Sequence, residues 1–464
     1  MKRNFALLLS VVVVAAGFLV VNGCKREATP NAQVESTSLK SAETNSFKEV
    51  TSKLDAGGDL YVYLSTEQWL KNLSDTLGKW RDAVASAPGL GENQPALTNG
   101  FDAVTRLVKE SGLEDISGVG MSSIAREPGI YYSKLIVHHY RGEGNGFIWT
   151  MFGKQPHELD GLDLLPADTA LAVFHDLDVG ELASVVQKEC EESGVPQAAE
   201  FVKNFPAEFE KGTGMKWDDV LNSLGGEYGI VMTLDPAKTM SLPLPTQVPL
   251  EIPEPAVMLV VKVKDDAIFN RIDQQLTKKQ QMPVIKTDKN GLKMRTMPLP
   301  FLNLRPTIAQ SEGYLFLATS DTIVQEALAV KGGKAGLKSS DEFKKLTAGV
   351  PQQGNQFCFL SKRFGETMMT LQLNAMENNN GTPPQLKELM QSLIQPEKAG
   401  FVFMVGGNTD EGWQFVGNGN QSGGKVLAAA TVVPAAVIAG VALPAVAKAR
   451  AAAEKKAAHT QSAQ

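Results

Sequence analysis

Five stretches of this chain repeat one pattern, and that pattern limits the fold more than any other feature. Each is a short apolar strand, a polar capping residue, then a helix with apolar residues at helical spacing. They read DLYVYLSTEQWLKNLSDTLGKW, TALAVFHDLDVGELASVVQKEC, AVMLVVKVKDDAIFNRIDQQL, GYLFLATSDTIVQEALAV and QFCFLSKRFGETMMTLQL. In the first, Ser65 and Gln68 fit a capping box, and Trp69, Leu70, Leu73, Leu77 and Trp80 fall on one helix face. In the second, Asp178 and Glu181 take the capping positions. A helix and turn leading into a long strand also recurs, in SGLEDISGVGMSSIAREPGIYYSKLIVHHY and TGMKWDDVLNSLGGEYGIVMTLD.

Hairpin signals fill the spaces between these units. IVHHYRGEGNGFIWTMFG reads as two strands around a turn in which Gly142, Gly144 and Gly146 supply positive φ. TDKNGLKMRTM and AGFVFMVGGNTDEGWQFVGN are hairpin-like as well. Strands joined by short turns favour antiparallel pairing. The expected fold class is therefore α+β: repeated strand-helix units forming mainly antiparallel sheets with helices on one face, plus a C-terminal hydrophobic helix. The domain reading places an N-terminal α+β domain at 47–157, a central one at 158–350 and a C-terminal unit at 351–420.

Within the body, LLPADTALAVFHDLD, MKWDDVLNSLGGEYGIVM, EGYLFLATSDTIVQEAL, LKSSDEFKKL and NQFCFLS resemble a family of uncharacterised extracytoplasmic bacterial proteins. That family is known by its domain of unknown function and not by an activity. The likeness covers residues 160 to 365, implies a compartment and a fold, and carries no catalytic residues with it.

Both ends of the chain point to a membrane. Met1-Lys2-Arg3-Asn4 is a basic n-region, and FALLLSVVVVAAGFLVV is an uncharged h-region. Val21-Asn22-Gly23-Cys24 follows and resembles the bacterial lipobox, which implies lipidation of Cys24 after removal of the signal peptide. Residues 25–46 are polar and read as a disordered tether. Near the other end, 426–447 is an uncharged apolar stretch of about 22 residues, enough for a span at 1.5 Å per residue. The tail at 448–464 brings Lys448, Arg450, Lys455 and Lys456, so the positive-inside rule puts that end in the cytoplasm. VIAGVALPAVAKARAAAEK also resembles the end of a pseudopilin hydrophobic segment, although the pilin-type Gly-Phe junction is absent. The expected location is the cell envelope, with the body held on the periplasmic side of the inner membrane.

Chemistry-bearing motifs are sparse. A net charge of −6 without a basic stripe argues against a nucleic-acid partner. Cys190 falls in an expected helix and Cys358 in an expected strand, a pattern of buried thiols, although a bridge between them stays open. His138 and His139 are neighbours on a strand and point to opposite faces, and HELDG at His157 lacks the second histidine of a zinc motif. DLDVGE at Asp176 lacks the third oxygen ligand and the distal Glu of a calcium loop, and GGKAGLKSS at Gly332 has Leu337 where a phosphate-binding loop needs glycine. A helix stop at Gly332 and Gly333, with Ser339 or Ser340 as the next N-cap, accounts for that stretch. No catalytic residue, metal or cofactor is assigned. Two Pro/Leu-rich loops, 236–255 and 297–306, are the partner-binding candidates, through Leu242, Leu244, Leu250, Phe301 and Leu302. The reading is a membrane-anchored binding or scaffold module. An enzyme acting on envelope polymers and an accessory of a secretion or pilus-like assembly are the alternatives.

Overall fold

The computed structural model describes residues 45–87, 94–242, 250–278, 283–299, 304–377 and 399–423. Cys24, the tether up to 44, Leu244, Phe301, Leu302, the stretch 426–447 and the tail 448–464 lie outside them. Among the described residues no helix is long and apolar enough to cross a membrane.

All five strand-then-helix stretches form, and three of them open a larger repeated unit. The first unit is strand β1 (Leu60–Ser65), the helices Glu67–Leu70, Leu73–Ser86 and Gln94–Ser111, then the hairpin β2 (Gly118–Glu127) and β3 (Ile130–His138). A two-residue strand β4 (His157–Glu158) precedes the second unit. That unit is β5 (Thr169–Asp176), the helices Val179–Glu192, Pro196–Thr213 and Trp217–Ser223, and the hairpin β6 (Leu224–Leu242) and β7 (Leu250–Val263). The helix Ala267–Lys278 then leads to β8 (Ile285–Lys289), β9 (Leu292–Thr296), β10 (Thr307–Ser311) and β11 (Tyr314–Ala318). Helices Asp321–Lys331 and Asp341–Thr347 and a short β12 (Gln353–Gly354) follow. The third unit is β13 (Gln356–Leu360), the helix Lys362–Glu377, and the hairpin β14 (Val402–Thr409) and β15 (Gly412–Gly419). In each unit the hairpin's first strand returns beside the opening strand: β1 with β2, β5 with β6, β13 with β14.

Thirteen strands join one antiparallel sheet in the order β1-β2-β3-β15-β14-β13-β5-β6-β7-β11-β10-β9-β8. Because β3 pairs with β15 and β5 with β13, the sheet runs through both boundaries drawn at 157/158 and 350/351. One face carries a row of directly opposed residues: Val405, Phe357, Phe174, Gly229, Val260, Phe316, Ala309 and Met294. Helices Asp321–Lys331 and Asp341–Thr347 close over this row with Ile323, Val324, Phe343 and Leu346. The opposite face carries the row Val119, Val137, Trp413, covered by Leu70, Leu73, Leu77 and Val108 from the N-terminal helices. Helix Ala267–Lys278 packs Phe269 against Val263, Ile308 and Leu315 on the same side.

The expectation of helices on one face is thus corrected: they cover both. The reason is visible in TALAVFHD and QFCFL, which are apolar at both parities and need shelter on both sides. The first helix also differs from the expected one. Thr66 is its N-cap, without a side-chain cap bond, and it breaks into two pieces that bury Leu70, Leu73 and Leu77 but leave Trp69 and Trp80 exposed. Asp178 caps as expected, accepting from the Glu181 N–H at 2.9 Å, and Ser340 accepts from the Phe343 N–H at 3.2 Å. Gly332 and Gly333 do end their helix. Cys190 and Cys358 sit in their expected elements as free thiols.

Candidate functional site

The stretch 236–255 is mostly not a loop. β6 runs on to Leu242 and β7 starts at Leu250, with those two residues paired across the ribbon. Prolines normally exclude such a reading because they remove a ladder donor. Here a register shift between Asp235 and Thr239 takes up Pro236, while Pro253 pairs opposite Thr239. The neighbouring strands stop short. β5 reaches only Thr233 on one side, and β11 only Met258 on the other. The outer parts of β6 and β7 therefore form a two-stranded arm of six paired positions, from Leu234 opposite Pro255 to Leu242 opposite Leu250, roughly 20 Å at strand rise. The pairing also places the 297–306 connection, between β9 and β10, at the same end of the sheet as the arm's tip. Of the partner-binding residues, Leu242 and Leu250 stand at the base of that tip. Leu244, Phe301 and Leu302 lie outside the described residues.

A second feature is a cleft of about 550 Å³ beside β4 and β12. Leu159, Leu162 and Pro351 give it apolar wall, and Glu158, Asp160, Asp163, Lys338, Gln352 and Gln353 give it polar wall. Two of its three acids are engaged: Asp163 with Lys338 at 2.5 Å and Asp160 with Lys262 at 3.3 Å. Behind it lies a polar network that sequence reasoning missed. Asp176 Oδ2 takes the His157 Nε2 at 2.8 Å and the Asn355 Nδ2 at 3.0 Å. Asn355 also donates to the Gln155 carbonyl and accepts from the Asn408 N–H, both at 2.8 Å. Glu227 is buried nearby, facing the Tyr314 hydroxyl at 3.4 Å. Burial pushes its carboxyl above the ordinary range, Lys262 opposes that, and Asp176 and Asp160 add to it. No local motif marks these residues, because strand pairing across some 180 positions brings Asp176 and Asn355 together. Among the described residues, no group of three or more His, Cys, Asp or Glu is placed to hold a metal ion.

His157 and His138 respond to pH in opposite senses. Burial works against a charged His157, yet its Nδ1 faces the Glu158 carbonyl at 2.7 Å and its Nε2 faces Asp176. Two acceptors favour the doubly protonated ring, so its pKa is raised. Its stabilising contribution is present below the ordinary imidazole value of about 6.5 and is lost as pH rises through the folded value. His138 is buried, with Nδ1 on Ser117 Oγ at 2.6 Å, and burial followed by Lys53 pushes its pKa down. Its contribution holds above about 6.5 and is lost as pH falls below it. Urea midpoints across this range check the signs. His138→Gln is expected to flatten the acid limb and leave the alkaline limb, and His157→Gln to do the reverse.

No curated protein and no solved structure matches this chain. A family match covers residues 151–395, which takes in the cleft, the arm and the strands β4 to β13. The strands outside the match, β1, β2, β3, β14 and β15, form the contiguous other part of the sheet. By that match the chain belongs to the family described as "Protein of unknown function (DUF3352)".

Proposed function

We propose that this protein is an envelope lipoprotein, anchored through Cys24, whose α+β body is a non-catalytic binding or scaffold module on the periplasmic side of the inner membrane. The apolar stretch 426–447 is its second, membrane-spanning anchor, followed by the cytoplasmic basic tail 448–464. The observation that carries the binding reading is the β6–β7 arm. The ribbon outruns both neighbouring strands and ends, among the described residues, at the paired Leu242 and Leu250. Leu242, Leu244 and Leu250 at that tip, with Phe301 and Leu302 from the adjacent connection, make an apolar contact for an envelope protein partner.

Crosslinked pull-down from intact cells tests this with the full-length chain. Leu244→Glu and Phe301→Glu are expected to leave urea unfolding unchanged and to remove the captured partner. Unfolding of both variants identifies these residues as core cover and sinks the reading. Unchanged capture by stable variants sinks it too.

A second reading, an enzyme acting on envelope polymers, draws on Glu227. A carboxyl whose pKa burial raises, near the His157–Asp176 pair, has the character of a general acid. Under the binding reading Glu227→Gln leaves partner capture intact. Under the enzymatic one it abolishes release of soluble fragments from isolated sacculi.

A further inference from the structure

The two edges of the large sheet are built differently. The β8 edge, IKTDK, places Lys286, Asp288 and Lys289 among five residues, the kind of charge that discourages edge-to-edge pairing. The β1 edge, LYVYLS, has no charge, and no strand among the described residues pairs with its outer side. Its side chains are open to solvent: Tyr61 is 43% exposed, Val62 39% and Leu64 51%, with Phe47 beside the strand at 52%. Tyr61 shares a sheet face with Ser122, Lys134 and Val416, whereas Leu64 shares the opposite one with Val119, Val137 and Trp413. Such an edge asks for a cover.

Where the chain enters and leaves the body says what the cover is. On one face of β1, Ser46 Oγ meets the Tyr63 hydroxyl at 3.1 Å and Phe47 packs edge-on against the Tyr63 ring at 5.2 Å. The chain leading back to Cys24 joins here. On the other face, the Gly423 N–H donates to Ser123 Oγ at 3.0 Å, and Gly423 lies against Leu60. The chain leading to 426–447 departs here. Leu60 and Tyr63 are three residues apart, about 10 Å along the strand. The three residues from Gly423 to Val426 reach at most about 10 Å, and the tether from Cys24 spans roughly 25 Å as a random coil.

We infer that the β1 edge, with Phe47, Tyr61, Val62 and Leu64, is the membrane-facing surface of the body and rests in the lipid headgroup layer. The inference rests on the anchoring proposed above. An open strand edge does not enter hydrocarbon, where its N–H and C=O groups lose all partners. In the hydrated headgroup layer water still satisfies those groups, while aromatic and aliphatic side chains find the environment that tyrosine favours at bilayer surfaces. The β8 edge then lies about 55 Å away across the sheet, facing the periplasm.

The test uses the full-length lipidated protein in phosphatidylethanolamine/phosphatidylglycerol vesicles, with photoreactive benzoylphenylalanine replacing Tyr61, Leu64 or, as the far-edge control, Ile285. Flotation is scored first, then the mass of the adduct. Lipid adducts at 61 and 64 and none at 285 are the expected result, and two positions on opposite faces guard against one variant misfolding. Failure to float removes the anchoring and this inference with it. Flotation with lipid adducts equally at 285 overturns the inference alone. So does an adduct at 61 or 64 to a second copy or to the chain's own 426–447 segment.

Discussion

Phe174→Ala is expected to lower stability by about 3–5 kcal/mol, a large share of what holds any such domain together. Phe174 stacks on Phe357 with ring centroids 5.0 Å apart and lies in the buried row that crosses the sheet. Two glycines make room for it. A Cβ at Gly229, directly opposite on β6, falls 2.3 Å from the ring, and one at Gly161 falls 2.4 Å from it. Neither glycine has a left-handed backbone, so the ring contact alone forbids a side chain. Gly229→Ala should therefore cost about 1–3 kcal/mol by overpacking. The two sites are coupled: with Leu in place of Phe174, the same alanine meets no ring and its cost should shrink by at least about 0.5 kcal/mol. Urea midpoints of the four combinations measure this. Strict additivity contradicts the account of Gly229 as space reserved for Phe174.

Local chemistry made part of this molecule legible in advance. Asp178 caps its helix because an Asp three residues before Glu181 has few better options, and Asn290-Gly291 turns the β8–β9 hairpin because both tolerate positive φ. The repeated strand-then-helix stretches announced the units. Their assembly into one sheet carries no local signature, since β3 meets β15 and β5 meets β13 across long stretches of chain. Short apolar runs also misled: FIWT reads as strand, but Phe147–Thr150 is a helical turn, and Gly146, at φ −77, does not take the expected positive φ. The prolines of β6 and β7 read as breakers because a bulge that accommodates Pro236 cannot be inferred from its neighbours. The cleft was hidden for the same reason as the sheet. In the sequence His157 and Asp176 each sit in a motif fragment, and only the pairing of β4 with β12 brings His157 alongside β5.

Asn355→Leu should cost about as much as losing Phe174, although no apolar contact is removed. Its amide joins three parts of the chain at once: Gln155 before β4, Asp176 at the end of β5, and Asn408 in β14. Leucine leaves the Asn408 N–H and the Gln155 carbonyl without this partner and strips one donor from the Asp176 carboxylate. The buried Asn408 N–H so abandoned costs about 1–3 kcal/mol and the two part-buried hydrogen bonds about 0.5–1.5 kcal/mol each, roughly 2–6 kcal/mol in all. Gly153 leaves no slack, because a Cβ there meets Asn355 Nδ2 at 2.3 Å and Asp176 Oδ2 at 2.5 Å. Asn355→Asp separates geometry from hydrogen bonding. It keeps the acceptor for Asn408 but turns an oxygen toward Asp176, so one of the two carboxyls has a raised folded pKa. A raised pKa destabilises as pH rises through it, so the deficit of this variant should be largest near neutrality and shrink toward about pH 4. Urea unfolding at both pH values decides the matter. A leucine variant within about 1 kcal/mol of wild type means strand pairing alone holds the junction, and a pH-independent aspartate variant means Asp176 and Asn355 do not share the contact described here.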